Sequence, residues 1–181
     1  ASLIQNSTEF PNVGNIVVKR NSNELMRLDY TMWSSPVEAQ NLLTFSPNTV
    51  TNRFYSYNPN TNIYEVINPS SSNFADANGY LIRMPNNHPT VPTIWNGRFE
   101  GVPHNGRFDL DVTDGTYNAI GNPYPSPINA DLFIEENNLT EAIYFWRKTN
   151  NSLNPSYATY TYMGGTSTKA NSLGGSDIVP N

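Results

Sequence analysis

"GNPYPSPINADLF", residues Gly121 to Phe133, sets prolines at 123, 125 and 127 and then passes into an apolar, acidic run. Each proline fixes its own φ and pushes the residue before it toward extended geometry. The chain is therefore expected to leave a strand after Ile120, run on without ladder hydrogen bonds, and enter a helix near Pro127. Either Ser126 caps that helix with Pro127 in its first position, or Asn129 caps it one turn later. Asp131 then sits where the helix dipole favours a carboxylate. Tyr124-Pro125 is the candidate for a cis bond. The stretch reads as a corner of the fold, and the functional alternative is that Tyr124 presents its ring to a ligand.

A second stretch of this kind lies upstream. In "SSPVEAQNLL", Ser34 to Leu43, Ser35 reads as an N-cap, Pro36 as the first helical residue and Glu38 as the partner that completes a capping box. Ser35-Pro36-Val37 matches Ser126-Pro127-Ile128 at a separation of 91 residues (126 minus 35). An aromatic strand follows each, Phe54-Tyr55-Ser56-Tyr57 and Ile143-Tyr144-Phe145-Trp146, then an Asn-rich turn and another Tyr-bearing strand. This pattern predicts an internal pseudo-repeat whose two serine–proline corners are equivalent joints. After the first hairpin comes "GYLIRM" at 79–84, whereas the second copy reaches "ANSLGGSDIVPN". The expectation is a final strand lost, or supplied by a neighbour.

Period-two alternation recurs in "NIVVKR" at 15–20, "RLDYTMW" at 27–33, "RFYSY" at 53–57, "GYLIRM", "GRFDLDV" at 106–112 and "EAIYFW" at 141–146. Turn chemistry separates them at Asn58-Pro59, Asn78-Gly79, Asn96-Gly97, Asn105-Gly106 and Asp114-Gly115. Many short strands so punctuated predict an all-β fold, a jelly-roll-like β-sandwich with two short helical turns. Residues 1–10 read as the end of a preceding β-region or a linker, and 11–181 as one sandwich domain lacking its last strand.

The balance of 10 Lys and Arg against 15 Asp and Glu leaves scattered cations, which argues against nucleic acid as a partner. No apolar run reaches the roughly 18 residues of a membrane span, so membrane insertion is not expected. Cysteine is absent, which excludes disulfide and thiolate chemistry. A surface rich in Asn, Ser, Thr and Tyr suggests an extracellular or cell-surface protein.

The segments "YTMWSSPV" at 30–37, "WNGRFEGVPHNGRFDLDV" at 95–112 and above all "YNAIGNPYPSPIN" at 117–129 resemble a module of large secreted and cell-surface proteins of Bacteroidetes. There it often lies near the C-terminal sorting signal of the type IX secretion system. The resemblance implies a multidomain parent and an extracellular address, and it transfers no active-site residues. It also implies a further strand with a Pro-Gly-Gln-Gly-Phe-like pattern, to which Ile178-Val179-Pro180 looks like the approach.

Catalysis finds little footing. His88 and His104 lie in Pro- or Gly-rich loops without ligands at zinc spacing. There is neither a nucleophile elbow nor a phosphate-cradling loop. Carboxylate pairs such as Glu135-Glu136, or Glu100 with Asp109, are inevitable in a chain with 15 acids. No enzyme activity and no cofactor are expected. Asp109, Asp111 and Asp114 of "DLDVTDG" offer a weak structural Ca²⁺ site, against the reading in which Phe108, Leu110 and Val112 face inward and Asp114-Gly115 turns a hairpin. Tyr124, Trp95, Trp146, Tyr160 and Tyr162 are the candidate ligand-binding aromatics, since exposed rings stack on sugars as readily as they fill cores. Tyr160 and Tyr162 share one strand face.

The function expected is thus a non-catalytic extracellular module of a larger secreted or surface protein: a spacer, adhesion or assembly unit partnered by neighbouring domains of the same polypeptide. The alternatives are a carbohydrate-binding module acting on cell-surface or environmental polysaccharide, and a strand-accepting subunit of a filament or surface assembly.

Overall fold

The computed structural model describes residues 3, 5, 7, 8, 10–139, 142–148, 157–161 and, as backbone, 164–166. The chain forms two compact units, Ala1–Ser126 and Pro127–Asn181.

The first unit is an all-β sandwich. β1 (Ile16–Leu25) opens it and is followed by β2 (Tyr30–Trp33), the one-turn helix α1 (Leu42–Phe45), a 3-10 turn (Thr51–Arg53) and β3 (Phe54–Asn58). Then come β4 (Ile63–Val66), β5 (Tyr80–Arg83) and β6 (Thr93–Gly101). One sheet is the antiparallel ribbon β1-β6, and the other has the order β2-β5-β3-β4, also antiparallel. Alternation selects the face each strand buries. Trp33, Phe54, Tyr80 and Ile82 point inward from one sheet and Phe99 from the other, with Ile16, Val18 and Trp95 packed at the margin.

α1 supplies Leu42 and Phe45 to the same core, where the Phe45 ring stacks on Phe99 with centroids 4.5 Å apart. Trp33 meets Phe45 and Trp95 edge-on at 5.3 Å each. Such pairs add about 0.5–1.5 kcal/mol beyond the area they bury.

Asn96-Gly97 is not a turn but the middle of β6, facing Asn21 and Arg20 across the ribbon. A Cβ at Gly97 would lie 2.9 Å from Trp33 Cζ3 and 3.2 Å from Phe45 Cε2. Glycine here serves close approach within a strand.

The expected strand at 106–112 is likewise absent: 107–113 lacks regular structure. Where a ladder partner would stand, the Asn118 side chain accepts from Thr113 N at 2.9 Å and donates to Thr113 O at 3.0 Å. Phe108 and Leu110 are half-buried, but Val112 is 63% exposed and so does not face the core. Gly115, at φ 70°, makes the turn with Asp114.

The capping box at Ser35 does not form. Ser35 Oγ donates to Val37 O at 2.7 Å and accepts from Val37 N at 3.2 Å. The next amides pair with the chain beyond β6, through Glu38 N to Val102 O and His104 N to Pro36 O. Ala39, at φ 53°, then bars helical continuation. The helix starts instead at Asn41, whose Oδ1 accepts from Leu43 N and Thr44 N at 3.0 and 3.1 Å. Asn41 Nδ2 also donates to Pro69 O and Ser72 O, tying the helix to the 69–73 loop. Replacing Asn41 by Ala should therefore cost about 2–3 kcal/mol, roughly 1 for the cap and the rest for orphaned carbonyls. Urea denaturation would measure it.

The second unit has α2 (Ala130–Glu136), capped by Asn129, followed by β7 (Ile143–Trp146), β8 (Tyr157–Thr161) and β9 (Gly164–Thr166) in one antiparallel sheet. Asn138, at φ 52°, closes the helix. Of the two capping schemes at this corner, the Asn129 one holds: its Oδ1 accepts from Asp131 N and Leu132 N.

The two corners are not equivalent as expected. Ser35 is buried with its hydroxyl satisfied locally, whereas Ser126 is half-buried and offers its carbonyl to Asn122 Nδ2. What repeats is an Asn-capped helix followed by an antiparallel hairpin, Asn41 to β3-β4 and Asn129 to β7-β8. The expected approach to a final strand, Ile178-Val179-Pro180, lies outside the described residues.

Candidate functional site

The proline string is an architectural corner that also walls a cleft. Gly121 lies against Ser34, and Gly121 N donates to Ala77 O at 2.8 Å. Beside it, Gly79 N donates to Ala119 O at 3.0 Å, so residues 119–121 cross over the 77–79 turn. Asn122 then braces the prolines from within: its Oδ1 accepts from Tyr124 N at 2.8 Å and its Nδ2 donates to Ser126 O at 2.7 Å. The Tyr124–Pro125 bond is trans.

Two buried or half-buried side chains hold the corner from outside. His104 Nδ1 donates to Pro123 O at 3.0 Å, which fixes the tautomer because a carbonyl only accepts. Its Nε2 is buried 3.2 Å from Asp76 Oδ1 without making a hydrogen bond. Arg20, inward-facing on β1, donates to Tyr124 O at 2.5 Å and reaches Ser34 O at 3.4 Å. Burial pulls this guanidinium below its ordinary value, and it keeps its charge with carbonyls as partners. Arg20→Met keeps the packing but removes the donors. It should cost about 1.5–2 kcal/mol in urea denaturation, the lower part of the range for charge-assisted bonds because Arg20 is only half-buried.

The cleft, of about 290 Å³, is lined by Leu3, Gln5, Thr8, Asn105, Gly106 and the corner residues Tyr124, Pro125 and Ser126. Tyr124 OH donates to Gly106 O at 2.7 Å and its ring meets Phe108 edge-on at 5.7 Å. Burial pushes the phenol above its ordinary value. Asn105 Nδ2 donates to Ser7 O and Phe10 O, which ties those two residues to the loop that walls the cleft. The lining presents amides, hydroxyls and an aromatic ring.

A family model matches residues 1–180. The chain belongs to the family Domain of unknown function (DUF8693). No curated protein and no solved structure matches it.

The other candidates of the DUF8693 chain take separate places. Trp95 packs on Trp33 and Phe45 at the core margin. Trp146 meets Tyr157 edge-on at 5.1 Å across the β7-β8 hairpin. Tyr160 OH donates to Asp131 Oδ1 at 2.8 Å, joining α2 to its sheet, and that bond raises the phenol above its ordinary value. Tyr162 lies outside the described residues. Asp109 is paired with Arg107 at 2.6 Å, and Asp114 Oδ1 accepts from Gly115 N. Asp111 is exposed, and no group of three metal-ligating acids or histidines occurs among the described residues. Gln5, Thr8 and Asn105 escaped sequence reasoning, because only tertiary contact brings residues 5 and 105 together.

Proposed function

We propose that this domain is a non-catalytic extracellular module of a larger secreted or surface protein, acting as a spacer, adhesion or assembly unit. The use of the two histidines carries this reading. His88 Nε2 lies 2.8 Å from Leu25 O and 3.2 Å from Thr93 O, and His104 serves Pro123 O. Each ring of the residue type best suited to proton transfer near neutrality thus holds at least one backbone carbonyl, stapling loops. The resemblance to Bacteroidetes surface modules supports the extracellular address and type IX export. Among the described residues, no helix is long and apolar enough to cross a membrane.

Protease shaving of intact cells, followed by mass spectrometry, tests the address. Peptides of this domain should be released before lysis. Their recovery only after lysis would sink the proposal.

The cleft at Tyr124 favours carbohydrate binding as a second reading, since its amides, hydroxyls and ring suit a neutral sugar. A glycan array should then show binding that Tyr124→Ala removes, and a blank array would reject it.

A further inference from the structure

The four-stranded sheet has a second face, turned away from the core, where charges of one sign gather. Tyr30 of β2 stands directly opposite Arg83 of β5. Phe54, the first residue of β3, stands opposite Ile82, and Arg53, the last residue of the 3-10 turn, comes just before it. Arg53 Nη1 donates to the hydroxyl of Tyr55 at 3.2 Å, which puts its guanidinium on the Tyr55 face. The Tyr30 and Tyr55 rings meet edge-on at 6.0 Å. Burial pushes the Tyr30 phenol above its ordinary value, the hydrogen bond with Tyr55 adds to this, and the charges of Arg53 and Arg83 both oppose it.

The chain carries 15 acids against 10 bases, yet no ion pair of Arg53 or Arg83 occurs among the described residues. Arg83 Nη2 donates to Asn86 Oδ1, a neutral acceptor, and its Nε is buried without a partner. Two planar donor forks with no carboxylate suit an oxyanion, which each fork can hold through paired hydrogen bonds. The adjacent phenol rings suit a sugar face.

We propose that Arg53 and Arg83, flanked by Tyr30 and Tyr55, form a binding site for an anionic sugar, the guanidinia holding its carboxylate or sulfate ester and the phenols its ring. The site deepens the adhesion reading above and rests on it for where such a sugar is met. Binding itself is tested independently of address. Isothermal titration would use an oligogalacturonate, a sulfated oligosaccharide and a neutral dextran oligomer as probes.

One of the acidic oligomers should bind, more weakly as salt rises, while the dextran does not. Which acid binds distinguishes carboxylate from sulfate. The double variant Arg53→Gln with Arg83→Gln should lose about tenfold or more in affinity. Arg53→Lys with Arg83→Lys, which keeps the charge and loses the fork, should lose part of it. Circular dichroism of both variants separates lost binding from lost folding. Silence from both acidic probes, undiminished binding by a folded double variant, or arginine-dependent binding of a polyglutamate peptide in place of the sugars would overturn the site. Failure of the shaving experiment would remove the address and leave this site standing.

Discussion

Gly121→Ala should lower the stability of the first unit by about 3 kcal/mol or more in urea denaturation, the upper end of what overpacking costs. A Cβ at Gly121 would overlap Ser34 Cβ and Oγ far inside van der Waals contact. Neither side can yield cheaply. Gly121 N is bonded to Ala77 O, Gly79 N to Ala119 O, and Arg20 reaches the carbonyls of Ser34 and Tyr124. A paired substitution isolates the cause. Ser34→Gly in the Gly121→Ala background removes the overlapping atoms and should recover much of the loss, whereas Ser34→Ala keeps the Cβ and should recover little. Ser34 Oγ is buried without a partner, so Ser34→Ala in the wild-type chain should be near neutral. Equal rescue by both would show that the close approach is not what glycine serves here.

Phe99→Ala should cost about 3–5 kcal/mol, the usual range for deleting a buried aromatic ring. Phe99 is fully buried, stacks on Phe45 and meets Phe74 edge-on at 5.7 Å, so its loss leaves a cavity walled by rings that cannot close inward. Phe99→Leu keeps most of the volume and should cost less than half as much. With Trp146 replaced by Phe, the fluorescence of Trp33 and Trp95 reports this core. A loss below about 1 kcal/mol would mean that the ribbon and the four-stranded sheet do not share the core described.

Much of this architecture was legible in alternation. β2, β5 and β7 fall within stretches where apolar residues recur at every second position, and β8 within the Tyr-bearing strand of the second copy; β3 runs one residue past its stretch, and only the first half of β1 was read, its continuation to Leu25 being polar. β6 was hidden by Asn96-Gly97, a turn signal that here marks the place where Trp33 presses on the backbone. The opposite error occurred at 106–112. Its alternation is as good as any in the chain, but a strand also needs a partner edge, and Asn118 takes the amide and carbonyl of Thr113 instead. At the first corner Ser35 suggested a cap that Asn41 supplies, because Ser35 bonds its own neighbour; at the second, of the two caps the sequence offered, Asn129 serves and Ser126 is engaged through its backbone.

The sites divide along the same line. Tyr124 was visible because three prolines announce a chain that cannot join a ladder. Gln5, Thr8 and Asn105 carried no such signal. For Tyr30, Arg83 and Arg53, alternation gives the strand residues their face, but register makes Tyr30 and Arg83 opposite, and the Tyr55 ring and hydroxyl bring in Arg53.

The order of residues by itself determined that this protein is all-β, where most strands run and that a rigid corner stands at Gly121–Ser126, since φ restriction, side-chain branching and period-two burial act within a few residues. Only the tertiary structure decided which glycine turns and which lets a ring approach, that asparagine and not serine caps each helix, and which arginines gather beside Tyr30 and Tyr55. Those outcomes depend on atoms dozens of residues away, whose contact energies no local pattern contains.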